Sequence, residues 1–200
     1  MSESLLFSPF TLPSPQGGLA LANRVVIAPM CQYLAHDGLA NDWHLAHWTS
    51  LLNSGAAMLT IEATGVTVDG RITQGCLGLW DDRTETALGE VLQRARKLAP
   101  PVPVCIQLAH AGRKASSARP WEGGQLVRPD QGGWQPMGPS ALPHLPAEAP
   151  PTEMSAADMA SVRDAFATSA LRAGRIGIEA IELHAAHGYL LHQFLSPLSN

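Results

Sequence analysis

Apolar residues recur along the chain with two different spacings, and stretches of the two kinds alternate. Short apolar runs of strand length stand at 25–30, 57–63, 102–108 and 180–184. Between them, apolar residues at helical spacing follow capping signals at Asp42, near Asp82 and at Ser155, where Asp158 completes a capping box. The resulting β-α-β-α-β-α-β order predicts a parallel sheet with helices outside it.

Polar and apolar residues also alternate within the predicted strands. The apolar residues that we expect to face the helices are Ile61, Val104, Ile106, Ile181 and Leu183. The polar residues of the opposite parity are Thr60, Glu62, Gln107, Glu182 and His184. Polar side chains on one face of buried strands favour the inside of a barrel, near its mouth, over an open doubly wound sheet.

The connection 110–152 is unusually long and rich in Pro and Gly. Connections of this length are typically lids, binding loops or disordered inserts. This one contains Trp121 and Trp134, which argue against complete disorder.

Composition limits the class of protein. With 46% apolar and 15% charged residues, the 200-residue chain is expected to be globular, and a net charge of -4 indicates neither a nucleic-acid partner nor an anionic membrane surface. No apolar run has the length of a membrane span, and residues 1–10 lack the features of a signal peptide. The three cysteines are widely spaced without a C-x-x-C motif, which favours a reduced, cytoplasmic location.

Two imidazoles and a phenol directly follow the fourth predicted strand. His184, His187 and Tyr189 would therefore lie at the carboxyl end of the sheet, where barrel active sites form. Imidazole N–H groups can bind a substrate oxygen, and a phenol with an ordinary pKa of about 10 can deliver a proton to an enolate-like carbanion. The pattern favours an enzyme, while a core histidine, a solvent-facing histidine and a packing tyrosine are the alternative interpretation.

The same two histidines are compatible with zinc. H-x-x-H is a weak metal signal because a site needs a third protein ligand, which Glu182 or His192 would have to supply. We therefore expect no metal and keep a zinc-dependent barrel hydrolase as an alternative.

Two further positions have competing interpretations. Gln107 could pair with a ligand edge that offers an acceptor beside a donor, as a flavin pyrimidine ring does, or with Glu62 or Glu182. Cys31 ends the first strand, and a lone cysteine there is more often a small buried hydrophobe than a reactive thiol.

Three longer motifs follow one another in a specific order. They are NRVVIAPM at 23–30, QLAHAGR at 107–113 and HAAHGYLLHQFLSP at 184–197. Together they resemble the Old Yellow Enzyme family of FMN-dependent ene-reductases, and the resemblance runs from about Leu6 to Asn200. Cys31 with Tyr33, and the run at 112–114, are similar to the thermophilic-like branch of that family.

The resemblance implies a (β/α)8 barrel that holds FMN at its carboxyl-terminal mouth, with NADPH or NADH as the hydride donor. It implies that His184 and His187 bind the carbonyl oxygen of an enone or enal. Tyr33 would help to hold that substrate, and Tyr189 would supply a proton as the activated C=C bond is reduced. The residues implied to bind the flavin are Ala28, Pro29, Met30, Cys31, Ala63 and Gln107.

The 200 residues provide only about four of the eight βα units of such a barrel. Residues 1–200 would then be the N-terminal half of a single FMN-binding domain, and the missing C-terminal half, with its phosphate site, would be needed. A half barrel has open strand edges. We therefore expect a shortened, split or cleaved enzyme, or a chain completed by another, without tight FMN affinity on its own. The full-length protein is expected to be a homo-oligomer, and an inactive barrel fragment that acts through a partner chain is a further alternative.

Overall fold

A four-stranded parallel sheet forms the centre of the computed structural model, which describes residues 4–15 and 17–200. An antiparallel hairpin, β1 (Phe10–Leu12) with β2 (Leu19–Leu21), precedes it. The sheet strands, in spatial order, are β3 (Val26–Ile27), β4 (Met58–Gly65), β5 (Val104–Ala109) and β8 (Ala180–Leu183). The helices are α1 (Asp42–Leu52), α2 (Asp82–Lys97), α3 (Ala156–Arg175) and α4 (Leu190–Leu195). The predicted alternation of strands and helices and the parallel sheet are confirmed. Of the N-terminal segment 1–10, for which no signal peptide is expected, residues 1–3 lie outside the described residues.

Short polar side chains begin the long helices by accepting backbone N–H groups. Ser155 and Asp158 form the predicted capping box before α3. Before α1, the cap is Asn41 and not the predicted Asp42: the Asn41 side chain accepts the N–H of Trp43 at 3.0 Å, and Asp42 is the first helical residue. Asn and Asp are equally good caps, so the sequence did not distinguish the two neighbours.

The main core lies between the sheet and the helices. Ile61, Val104 and Ile106 are buried there with Leu88 and Leu92 of α2, as their parity predicts. The polar strand residues of the opposite parity are also buried, apart from the exposed Glu182; they are Thr60, Glu62, Gln107 and His184. Buried polar groups require partners, and this face of the sheet is therefore where a site can form.

Strand β8 lies at the edge of the sheet in the described part of the chain. Its Ile181 and Leu183, which we expected to face the helices, are 39% and 57% exposed, and Leu183 borders residues of α3 and α4 without being covered by them. The reason is that β8 pairs on one side only, with β5, and that Leu183 borders an open groove.

The long connection 110–152 packs against the loop that follows β4: the N–H groups of Ala111 and Ser117 donate to the carbonyls of Gly70 and Ile72. It contains 3₁₀ turns at Gly112–Lys114, Pro120–Glu122 and Pro129–Gln131, and its β6 (Met137–Gly138) pairs with β7 (Thr152–Glu153). The indole N–H of Trp134 donates to the carbonyl of Asp69 at 2.7 Å. The guanidinium of Arg71 lies over the rings of Trp134 and Trp80, 5.0 and 5.3 Å from their centroids.

Candidate functional site

A cleft of about 630 Å³ lies at the carboxyl ends of the four parallel strands. Its wall contains every residue that the sequence analysis assigned to flavin or substrate: Ala28, Pro29, Met30, Cys31, Tyr33, Ala63, Gln107, His184, His187 and Tyr189. Further wall residues, without an assigned role, are Ile72, Glu182, Leu183, Ala185 and Ala186. The structure thus brings the predicted residues together, and their individual roles remain predictions.

His184, His187 and Tyr189 form one aromatic group. The centroid of the His184 ring lies 5.3 Å from that of His187 and 4.7 Å from that of Tyr189, with interplanar angles of 81° and 82°. The Nδ1 atom of His184 accepts the backbone N–H of Ala186 at 3.4 Å, which places the proton of the neutral ring on Nε2. Burial, and then the neighbouring His187, lower the pKa of His184 and favour this neutral form.

The turn after β8 is held in place by Lys114 from the long connection. His187 adopts a left-handed backbone conformation with φ at 57°. Its carbonyl oxygen accepts a hydrogen bond from Lys114 Nζ at 2.9 Å, and the same ammonium lies 4.9 Å from the centroid of the Tyr189 ring. Lys114 was not predicted as a site residue, because its position depends on how the long connection folds back.

Both phenols of the cleft keep their protons at neutral pH. Burial raises the pKa of Tyr189 to about 12, with smaller contributions from Cys31 and Cys76. Burial also raises the pKa of Tyr33. A protonated phenol can act as an acid or as a hydrogen-bond donor.

Gln107 makes the intramolecular hydrogen bond to Glu182 that was one of its two predicted alternatives. Its amide nitrogen donates to the carboxylate of Glu182, and the side chain also lines the cleft. A hydrogen bond from Gln107 to a ligand therefore remains a prediction.

A buried carboxyl group supports the wall of the cleft from behind. Glu62 Oε2 accepts the backbone N–H of Gln32 at 2.8 Å, which fixes the segment between Cys31 and Tyr33. Its Oε1 lies 3.7 Å from Nε2 of the buried His44. Burial raises the pKa of Glu62 to about 8 and lowers that of His44 to about 4, so both groups are predominantly neutral near pH 7.

The geometry gives no support to a zinc site. Within residues 4–15 and 17–200, no group of three or more His, Cys, Asp or Glu side chains could hold a metal ion. His192, one of the suggested third ligands, instead accepts the N–H of Gly188 through Nδ1 at 2.8 Å. The helices of the same described residues include none that is long and apolar enough to cross a membrane.

Comparison with known proteins gives the same family as the sequence motifs. The model of the NADH:flavin oxidoreductase / NADH oxidase family matches residues 5–200. A NADH:flavin oxidoreductase of Gibberella zeae is 41% identical over 199 residues, which are 98% of this chain and 47% of the relative. A NADPH dehydrogenase of Geobacillus thermodenitrificans is 39% identical over 200 residues, which are 99% of this chain and 53% of the relative.

The fold agrees with solved structures. Morphinone reductase matches with a TM-score of 0.80 and 26% identity, over 100% of this chain and 52% of its own. The chain therefore spans about half the length of the relatives that it matches, and the expected partial barrel is confirmed. It belongs to the NADH:flavin oxidoreductase / NADH oxidase family.

Proposed function

We propose that this chain is the N-terminal half of a single FMN-binding barrel domain, 1–200, in an enzyme that reduces the activated C=C bond of α,β-unsaturated carbonyl compounds with NADPH or NADH. The observation that carries the proposal is the single cleft in which the His184, His187 and Tyr189 group shares a wall with segment 28–31. A small enone or enal is the proposed substrate, and a cytoplasmic location, suggested by three free cysteines, is part of the same proposal.

The wall of the cleft fits a flat cofactor ring. Ala28, Pro29 and Ala63 present no long side chain, so a ring can approach the backbone closely. Beside them, the amide of Gln107 can hydrogen-bond the polar edge of such a ring. The chemistry that FMN would supply when bound is hydride transfer, from the nicotinamide to the flavin and from the flavin to carbon.

The protein would bind and polarise the substrate and provide its proton. Nε2–H of His184, together with the His187 imidazole, would donate to the carbonyl oxygen and stabilise the negative charge that develops there. Tyr189, which keeps its proton at neutral pH, would deliver that proton to the α-carbon as a general acid. Lys114 would keep the turn that carries these groups in place.

An optical experiment tests the proposal. The chain is completed with the C-terminal part of the Geobacillus thermodenitrificans relative that it does not match, and the protein is loaded with FMN. We expect anaerobic NADPH to bleach the flavin absorption and cyclohexenone to restore it. Tyr189→Phe should leave the bleaching rate unchanged and slow the restoration by about 10²–10⁴-fold, because the proton donor is lost.

Reoxidation by oxygen provides the control. Oxygen reoxidises reduced flavin without any protonation of a substrate carbon by Tyr189, so the rate of reoxidation by oxygen should be the same in the native protein and in Tyr189→Phe. A flavin-loaded protein that NADPH does not bleach, or a Tyr189→Phe variant that restores the colour at full rate, would contradict the proposal.

A further inference from the structure

Two residues of the cleft wall have a backbone conformation that bulky side chains rarely adopt. Tyr33 and His187 both lie in the left-handed region, each with a φ of 57°. In the described part of the chain, the other non-glycine residues with a positive φ are Asp37 and Ser116. A bulky residue with a positive φ is strained, and such strain persists only where the surrounding structure imposes it. The two cleft residues therefore require specific restraints.

The restraint is of the same kind at both positions. The long connection 110–152 provides one basic side chain for each of the two carbonyl oxygens. Lys114 Nζ donates to the carbonyl of His187 at 2.9 Å, and Arg119 Nε donates to the carbonyl of Tyr33 at 3.1 Å. In the part of the chain that the structure describes, Arg119 is the one hydrogen-bond donor to the Tyr33 carbonyl. The proposed function makes no use of Arg119.

The surroundings of Tyr33 leave its carbonyl group little room to turn. Glu62 fixes the preceding peptide, because its Oε2 accepts the N–H of Gln32 at 2.8 Å. A Cβ atom at Gly75 would clash with the carbonyl oxygen of Tyr33, so the backbone approaches this oxygen as closely as a glycine permits. The ring of Tyr33 meets that of Trp121 edge-on, with centroids 5.7 Å apart and an interplanar angle of 77°. The long connection therefore contacts both the carbonyl and the ring of Tyr33.

Arg119 is held in place by the turn that follows it. It precedes the 3₁₀ turn Pro120–Glu122, and its backbone N–H donates to Glu122 Oε2 at 3.2 Å. Glu122 Oε1 also lies 3.5 Å from Nη1 of Arg119. A guanidinium group has several N–H donors in a fixed plane, so the outer nitrogen can face Glu122 while Nε donates to Tyr33.

We propose that Arg119 is a positioning residue, which holds the backbone of Tyr33 in its left-handed conformation so that the phenol stays in the cleft beside the substrate. Without the hydrogen bond from Nε, the backbone would relax to a favoured conformation and the phenol would leave the wall. The contact of Tyr33 with a substrate rests on the proposed function, whereas the position of Tyr33 does not.

Acetylation of the phenols with N-acetylimidazole tests the position of Tyr33 in the chain without flavin. Trypsin releases the two tyrosines in separate fragments, 25–71 with Tyr33 and 176–200 with Tyr189, so mass spectrometry follows each of them. Burial raises the pKa of Tyr33. In Arg119→Met, which keeps the length of the side chain out to Nε but has no donor, Tyr33 should react about tenfold faster, because the reactive phenolate fraction rises tenfold for each unit by which the pKa falls. The rate of Tyr189 should not change.

Two further variants separate the hydrogen bond from other effects. Arg119→Gln is the rescue variant, because its amide nitrogen stands at the place of Nε and can donate. Arg128→Met is the matched control: Arg128 is exposed and, like Arg119, precedes the proline of a 3₁₀ turn in the same connection. Tyr33 should react at the native rate in both. An unchanged rate in Arg119→Met, equal acceleration of both tyrosines, or a fast Tyr33 in Arg119→Gln would overturn the proposal.

A double-mutant cycle in the completed, FMN-loaded protein tests the consequence for the substrate. Arg119→Met should raise the half-saturating cyclohexenone concentration about three- to tenfold and leave the rate at saturation unchanged, because binding alone is weakened. In a Tyr33→Phe background the same substitution should add little, since it acts through Tyr33, and additive effects would overturn the proposal. A native half-saturation in Tyr33→Phe alone would refute the substrate role of Tyr33 in the proposed function, and the acetylation rates would still decide whether Arg119 positions Tyr33.

Discussion

Glu62, a buried residue behind the cleft wall, should make the stability of the protein depend on pH. Its pKa is raised from 4.5 to about 8, mainly by burial, so the folded protein holds a proton that the unfolded chain releases. The stability that this proton provides is fully present below about pH 4.5 and is lost as the pH rises through about 8. The native protein should therefore become less stable relative to Glu62→Gln as the pH rises through this window, by on the order of a few kcal/mol.

Urea denaturation at a series of pH values measures this difference. Gln at position 62 keeps an oxygen acceptor for the N–H of Gln32 and cannot ionise, whereas Glu62→Ala loses the acceptor and should be destabilised at every pH. The titratable groups near Glu62 include His44 on α1, whose pKa is lowered to about 4, and the thiols of Cys76 and Cys31. A stability difference between native protein and Glu62→Gln that is constant or grows in favour of the native protein with pH would contradict the assignment.

At the scale of elements, α4 connects the loop that follows β5 to the turn that follows β8, beside the cleft. Gln193 is 1% exposed; its Oε1 accepts the N–H of Arg113, and its Nε2 donates to the carbonyls of Ala111 and Gly188. Gln193→Ala leaves these buried backbone groups without their partner and should cost about 2–4 kcal/mol in the free energy of unfolding.

The matched control is His192→Ala on the same helix, which removes one exposed hydrogen bond to Gly188 and should cost about 1 kcal/mol or less. Gln193→Glu keeps the acceptor for Arg113 but cannot donate to the two carbonyls, so it should remain close to the alanine variant. Chemical denaturation measures all three, and equal costs for Gln193→Ala and His192→Ala would rule out this role of Gln193.

The helices and strands whose apolar residues recur at a regular spacing could be predicted from the sequence. The sheet strands, the three long helices and the Ser155 cap each carry an alternating or helical pattern or a capping motif. The hairpin β1–β2, with runs of three residues, and the six-residue α4 are too short to show a period, and both were missed. The meeting of the candidate residues in one cleft could be predicted from chain order, since the carboxyl ends of neighbouring parallel strands share one edge, and their roles stay predictions. Ile72 reaches the cleft, and Lys114 reaches the turn at His187, from connections whose path no sequence periodicity describes.

At the scale of the whole molecule, an apolar groove of about 370 Å³ runs along α3, β8 and α4. Its lining residues are Met154, Met159, Val162, Arg163, Phe166, Leu183, Leu190, Leu191 and Phe194. An open strand edge beside an apolar surface is an association site. Because the relatives are about twice as long, we expect the remaining barrel units to cover this groove and to create the high-affinity FMN site.

Sedimentation and flavin retention of the chain, with and without the C-terminal part of the Geobacillus thermodenitrificans relative, test this expectation. The chain alone should self-associate and retain little FMN, whereas the mixture should form a one-to-one complex that keeps the flavin.

Met159→Asp places a charge in the groove, where Met159 is 40% exposed, and should weaken the complex at least tenfold because a charge would be buried without a partner. Leu171→Asp, at a 68% exposed position of the same helix outside the groove lining, should leave the affinity unchanged. A monomeric chain that holds stoichiometric FMN by itself would show that these four βα units already form the complete cofactor site, and the groove would then need another explanation.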